Sequence, residues 1–147
     1  MHIRPFIETD ESAVIRLWHD CQLLTPQNNP HQDIARKLLV DRDLFLVGLV
    51  AGEVVATVMG GYEGHRGWIN YLAVDSPFRL QGYGRLMMRA VENLLRTKGC
   101  PKINLQVRAA NQAVISFYEA IGFSDDRVLS LGKRLVDDAN KPTQMNR

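Results

Sequence analysis

Several familiar signatures are missing from this chain. Its two cysteines, Cys21 and Cys100, stand far apart and in no CxxC or metal-like spacing, which argues against a disulfide scaffold or a zinc ribbon and for free thiols in a reducing compartment. His2, His19, His31 and His65 belong to no ligand cluster, so no metal is expected. Charge of one sign is lacking too. With 18 Lys+Arg against 16 Asp+Glu the formal net charge is +2, too small and too dispersed to make nucleic acid the partner. The longest apolar stretch, residues 44–59, is broken at Gly52-Glu53 and falls short of the ~20 residues of a membrane-spanning helix. "MHIRPFIETD" has neither the basic start nor the apolar run of a signal peptide. A cytoplasmic protein without membrane contact, monomer or homodimer, is the expectation.

What is present alternates between strand and helix patterns. His2 to Phe6 suits a short strand, and Thr9 or Asp10 caps a helix whose Val14, Leu17, Trp18 and Cys21 fall at helical spacing. "TPQNNP" breaks that period. Asn29 before Pro30 is a cap followed by proline at the first helical position, opening a helix through Ile34 and Leu38 with an Asp33–Lys37 pair one turn apart. From Leu44 the period becomes that of strands: "LFLVGLV" and "VVATVMGGY" flank "AGE", a hairpin turning at Gly52, and "EGHRG" turns again into "WINYLAV". Met87, Met88, Val91, Leu94 and Leu95 then form an apolar stripe opposite Arg85, Arg89, Glu92 and Arg96, ended by Gly99 and Pro101. "KINLQV" is a strand, Asn111 caps a helix with Val114, Phe117, Tyr118 and Ile121 on one side, and "RVLSLGKRL" predicts a last strand. Residues 1–135 thus read as one α/β (α+β) domain, a mixed but mainly antiparallel sheet flanked by helices, and 136–147 as a frayed polar tail.

Chemistry concentrates in "AVDSPFRLQGYGRLMMRA", residues 73–90, where a strand runs through glycines into a helix. The first helical N–H groups have no partner within the helix and the dipole is positive there, so the backbone can hold an anion. Gly82 and Gly84 remove the Cβ atoms that would keep a phosphate away, and Arg79 and Arg85 add charge on either side. A phosphate ester is the ligand this suggests; a glycine turn with no ligand is the alternative. Two nucleotide loops are disfavoured. A Walker loop needs lysine and a hydroxyl where Arg85 and Leu86 stand, and a dinucleotide fingerprint needs a third glycine at Met87.

Two segments, taken in order, resemble one family. Arg79-x-x-Gly82-x-Gly84 in "RLQGYG" is similar to the acyl-CoA pyrophosphate loop of the GNAT N-acetyltransferase superfamily, and "LQVRAANQAVISFYEAIGF", Leu105 to Phe123, to that superfamily's following motif. The chain looks most like the bacterial YpeA-type subgroup. The resemblance implies acetyl transfer from acetyl-CoA to an amine, and a central strand splayed from its neighbour. In that gap the segment Leu72, Ala73 and Val74 holds pantetheine through the backbones of Leu72 and Val74. It further implies that Arg79, Leu80, Gln81, Gly82, Tyr83, Gly84 and Arg85 surround the pyrophosphate and that Asn111 bonds the cofactor as well as capping its helix. Tyr118 is implied to be the acid that protonates the departing thiolate; membership of the apolar stripe alone is the other reading. Relatives carry a basic glutamate where Trp68 and Gln106 stand here. Neither can act as a base, which leaves a water path to Glu63 or His65, or else a non-catalytic acyl-CoA sensor. The segment from Trp18 to Pro30 is expected to wall the acceptor side.

Overall fold

The computed structural model describes residues 1–139. Strand β1 (His2–Pro5) is followed by α1 (Glu11–Asp20) and α2 (Pro30–Lys37), then by β2 (Phe45–Val50), β3 (Glu53–Tyr62) and β4 (Gly67–Val74). Helix α3 (Tyr83–Thr97), β5 (Ile103–Leu105) and α4 (Gln112–Ala120) complete the order. The five strands form one sheet in sequence order, antiparallel except for the parallel β4–β5 pair. Ala51 and Gly52, with φ of 51° and 79°, supply the left-handed residues a two-residue hairpin turn requires between β2 and β3.

Both faces of the sheet are covered, which explains why "LFLVGLV" is apolar throughout instead of alternating. Phe45 and Val47 pack under α1 and α2 with Trp18, Leu17 and Ile34, while Leu46 packs under α3 with Met87, Met88 and Val91. The Phe6 and Phe45 rings stack at 4.6 Å. In β4 the alternation changes phase. Ile69 belongs to the α3 side and Ala73 to the α1–α2 side, although an even interval should put them on one face. The extra residue is a bulge: Thr57 pairs with Ala73 and Met59 with Asn70, so Tyr71 and Leu72 oppose Val58 alone. Tyr71 absorbs the distortion at φ 51°.

The Asn29 cap forms as expected, its side chain accepting from the N–H groups of His31 and Gln32. Four local expectations are corrected. Asp10 precedes α1 but does not cap it: the carboxylate turns back to the Arg4 guanidinium at 2.7 and 3.0 Å and to the Ile7 N–H. Asp33 and Lys37 do not pair, because each finds a closer partner on the sheet. Val114 is exposed, and Ile115, Phe117 and Tyr118 carry the inner side of α4 instead. The strand expected at "RVLSLGKRL" does not form, and Val128, Leu129 and Leu131 are exposed. An apolar alternation needs a partner edge, and this segment meets the end of β5 through one side-chain bond, Gln106 Nε2 to Ser130 Oγ, without a backbone ladder. Most of the expected tail, residues 140–147, lies outside the described residues; within it the Asp138 carboxylate is buried against the Arg36 guanidinium of α2.

Candidate active site

The site begins where the sheet comes apart. β4 and β5 pair over Gly67–Ile103, Trp68–Asn104 and Ile69–Leu105 and no further, so Asn70–Val74 and Gln106–Val107 separate. The Asp75 N–H donates to the Val55 carbonyl at 2.8 Å, which makes Ala56–Val74 a non-hydrogen-bonded pair and turns the N–H and C=O of Val74 away from β3 into the gap. By the same alternation the polar groups of Leu72 face the gap, while Ala73 is committed to its partner Thr57. The Val74 carbonyl is already engaged, accepting from Arg79 Nε at 2.9 Å and from the Cys21 thiol at 3.5 Å.

At the end of β4 the chain makes one 3-10 turn, Ser76–Phe78, and enters the glycine segment. Leu80 and Gly82 both take left-handed φ, 63° and 81°, and the Leu80 side chain is fully exposed. Among the described residues, no N–H group from Leu80 through Arg85 meets a protein acceptor; the first bond of the helix runs from Leu86 N to the Gly82 carbonyl. A bare row of donors at a helix start is an anion cradle. The two glycines serve it differently. Gly82 has open space around it and is needed for its φ, whereas a Cβ on Gly84 would stand 3.2 Å from the Phe117 ring, so Gly84 lets α4 press against α3.

On the other side of the gap is a cleft of about 810 Å³. Leu23, Thr25 and Asn28 line it, in the segment expected to wall the acceptor side, and Tyr118 reaches it from α4. Leu105, Gln106 and Tyr118 also border a second groove along β5 and α4, and therefore stand between the two hollows. The Tyr118 ring is held edge-on between Phe117 and Phe123, with centroids 5.1 and 5.5 Å away. Burial pushes its phenol up to about 12, and among the described residues its hydroxyl has no hydrogen-bond partner. Asn111 caps α4 by accepting from the Val114 N–H at 3.3 Å, fixing the first turn of the helix that carries Tyr118.

The cleft also gathers residues that pattern reading passed over. The Tyr71 hydroxyl donates to the Asp33 carboxylate at 2.7 Å, and burial together with that carboxylate raises the Tyr71 phenol well above its ordinary range. The Tyr71 ring stacks on Trp18 at 3.7 Å. Trp18 Nε1 donates to the fully buried Thr57 hydroxyl at 3.0 Å, and that hydroxyl donates to the Tyr71 carbonyl at 2.8 Å. Thr57 thus ties the bulge to the core. Asp33 and Tyr71 lie 38 residues apart, so no local motif joins them; the one hint was an acidic residue in a helix that follows the acceptor-side segment.

Glu63 and His65 do not line the cleft. The Glu63 carboxylate accepts from the N–H groups of His65 and Arg66 inside its own turn, and those bonds, Arg66's first, hold it below the usual carboxylate range. Trp68 lines the second groove and Gln106 bonds Ser130.

The model of the "Acetyltransferase (GNAT) family" matches residues 11–123. Acetyltransferase SG1711 of Sodalis glossinidius is 52% identical over 139 residues, covering 94% of this chain and 98% of its own. Among solved structures, Ard1 from Thermoplasma volcanium superposes with a TM-score of 0.72 at 29% identity, over 84% of this chain and 82% of that one. AAC(6')-Iy, in complex with the bisubstrate analogue CoA-S-monomethyl-acetylneamine, shares the fold at a TM-score of 0.75 and 18% identity, over 90% of this chain and 97% of that one.

Proposed function

The chain belongs to the GNAT acetyltransferase family and is an acetyltransferase, and from that premise we propose that it moves an acetyl group from acetyl-CoA to a primary amine. The observation that carries the reading is the row of unclaimed N–H groups from Leu80 through Arg85 at the head of α3. It fits a diphosphate, with the exposed Arg85 adding charge beside it. The gap-facing groups of Leu72 and the Val74 N–H fit the amide-rich pantetheine arm, which replaces the strand partner β4 has lost. Arg79 takes a supporting place, since its guanidinium holds the end of β4 by the Val74 carbonyl. Asn111 keeps α4, and with it Tyr118, in register with the gap.

When bound, acetyl-CoA supplies an acetyl group activated as a thioester. The residues of the chain bind it, exclude water and move protons. Tyr118 gives its hydroxyl proton to the sulfur as the C–S bond breaks, the step for which an unpartnered, protonated phenol is suited. The test is thiol release from acetyl-CoA by the purified protein across a panel of primary amines. Turnover with at least one amine is expected. Tight acetyl-CoA binding without turnover on any of them would instead make the protein an acyl-CoA sensor.

A further inference from the structure

Acetyl transfer leaves one task without a residue. An alkylamine is mostly protonated near neutral pH, with a pKa of about 10.4 for a lysine side chain, and neither Trp68 nor Gln106 can take its proton. Asp33 is the one carboxylate among the described residues lining the cleft that Tyr118 also lines. Its cationic neighbours form no salt bridge with it, although the Arg36 charge is near enough to interact with it. Arg36 gives its two terminal guanidinium nitrogens to Asp138, at 2.8 and 3.1 Å, and Lys37 gives its ammonium to the Gly60 carbonyl. Asp33 forms no ion pair among the described residues and has one bond, from the Tyr71 hydroxyl. That hydroxyl cannot move away, because its ring is stacked on Trp18 and its carbonyl is held by Thr57.

Building on the acetyltransferase reading, we infer that Asp33 is the acceptor site: it receives a primary ammonium group and takes the proton that must leave before nitrogen attacks, with Tyr71 as the residue that positions it. One N–H bond of the ammonium breaks, its proton going to an Asp33 oxygen and its electron pair staying on nitrogen. That pair forms the C–N bond to the acetyl carbon; the C–S bond breaks with its electrons on sulfur, and sulfur takes the Tyr118 proton. The second proton shed by nitrogen restores Tyr118, and Asp33 returns its own to water.

Asp33→Asn tests this without disturbing the shape, since the amide oxygen can still accept from Tyr71. With butylamine, 1,4-diaminobutane and a tripeptide bearing a free α-amino group as probes, the CoA-loaded parent should bind at least one, and Asp33→Asn should bind it about tenfold or more weakly while its CoA affinity is unchanged. Turnover should fall about 100-fold, the lower range for losing an acid–base group. The variant's rate should then climb with pH as free amine appears, while the parent's is flatter. Arg36 and Lys37 of α2, Tyr71 of β4, Arg108 after β5 and Tyr118 of α4 are the other titratable groups facing the cleft, and all are shared by both proteins. Tyr71→Phe should raise the amine KM more than it lowers kcat. Equal amine affinity and rate in Asp33→Asn would overturn the inference while acetyl transfer stands. A CoA-loaded parent that binds none of the three amines would overturn it as well, and a parent that binds no CoA would take the acetyltransferase reading down first.

Discussion

Single atoms decide much of this site. Tyr118→Phe keeps the ring between Phe117 and Phe123 and deletes the hydroxyl, so acetyl-CoA affinity should persist while kcat falls by about 100-fold to 10,000-fold; steady-state kinetics with any accepted amine checks it. The same burial has a signature in pH. The phenol is held at about 12, above the roughly 10 of an exposed tyrosine, so the unfolded chain loses this proton first. Below pH 10 the contribution is complete, and as pH rises from there towards 12 the unfolded state binds fewer protons and the fold loses stability. Denaturant midpoints at increasing alkalinity should fall more steeply in the parent than in Tyr118→Phe. Thr57 offers a third case. Replacing it with valine strands the Trp18 N–H and the Tyr71 carbonyl in the core, at a cost of about 2–4 kcal/mol. Thr57→Ser restores both bonds. A valine variant as stable as the serine one would show that water had replaced the hydroxyl.

At the scale of elements, the two glycines at the head of α3 should respond differently to the same change. Gly82→Ala places a side chain in open space but in a left-handed conformation, costing about 1–2 kcal/mol and disturbing the donor row. Gly84→Ala keeps a helical backbone and instead drives a methyl group into the Phe117 ring. The first should weaken CoA binding with little effect on Tyr118; the second should also lower kcat by shifting α4, which separate measurements of CoA affinity and turnover would distinguish. Asn29 as a cap, the Ala51–Gly52 turn and the α3 stripe were legible in sequence because each is decided within a few residues. The passage from strand through glycines into α3 was legible for the same reason. The Asp33–Tyr71 pair was not, since it depends on a bulge that reverses which face of β4 looks at α2, and bulges leave no mark in an alternation as short as "WINYLAV". The strand expected at "RVLSLGKRL" failed for the complementary reason: its side chains suit a sheet, but pairing is a property of two segments and the sequence of one cannot supply the other.

Across the whole molecule, stability and cofactor should be linked. A ligand that binds only the folded chain adds about 2.7 kcal/mol at a hundredfold excess over its Kd, so CoA should raise the melting temperature more than ATP or NADH at equal concentration. An equal or larger shift with ATP would point to a nucleotide site instead. The parting of β4 from β5 carries a further consequence. Because Leu72 and Val74 meet the gap with main-chain atoms, exchanging their side chains for others of similar size leaves those atoms in place. Conservative exchanges such as Leu72→Met and Val74→Ile should therefore be nearly silent for CoA affinity. Semisynthesis that puts an ester oxygen in place of the Val74 N–H, leaving its isopropyl group untouched, should weaken binding of the donor. Inheritance can vary the letters here without rewriting what they hold.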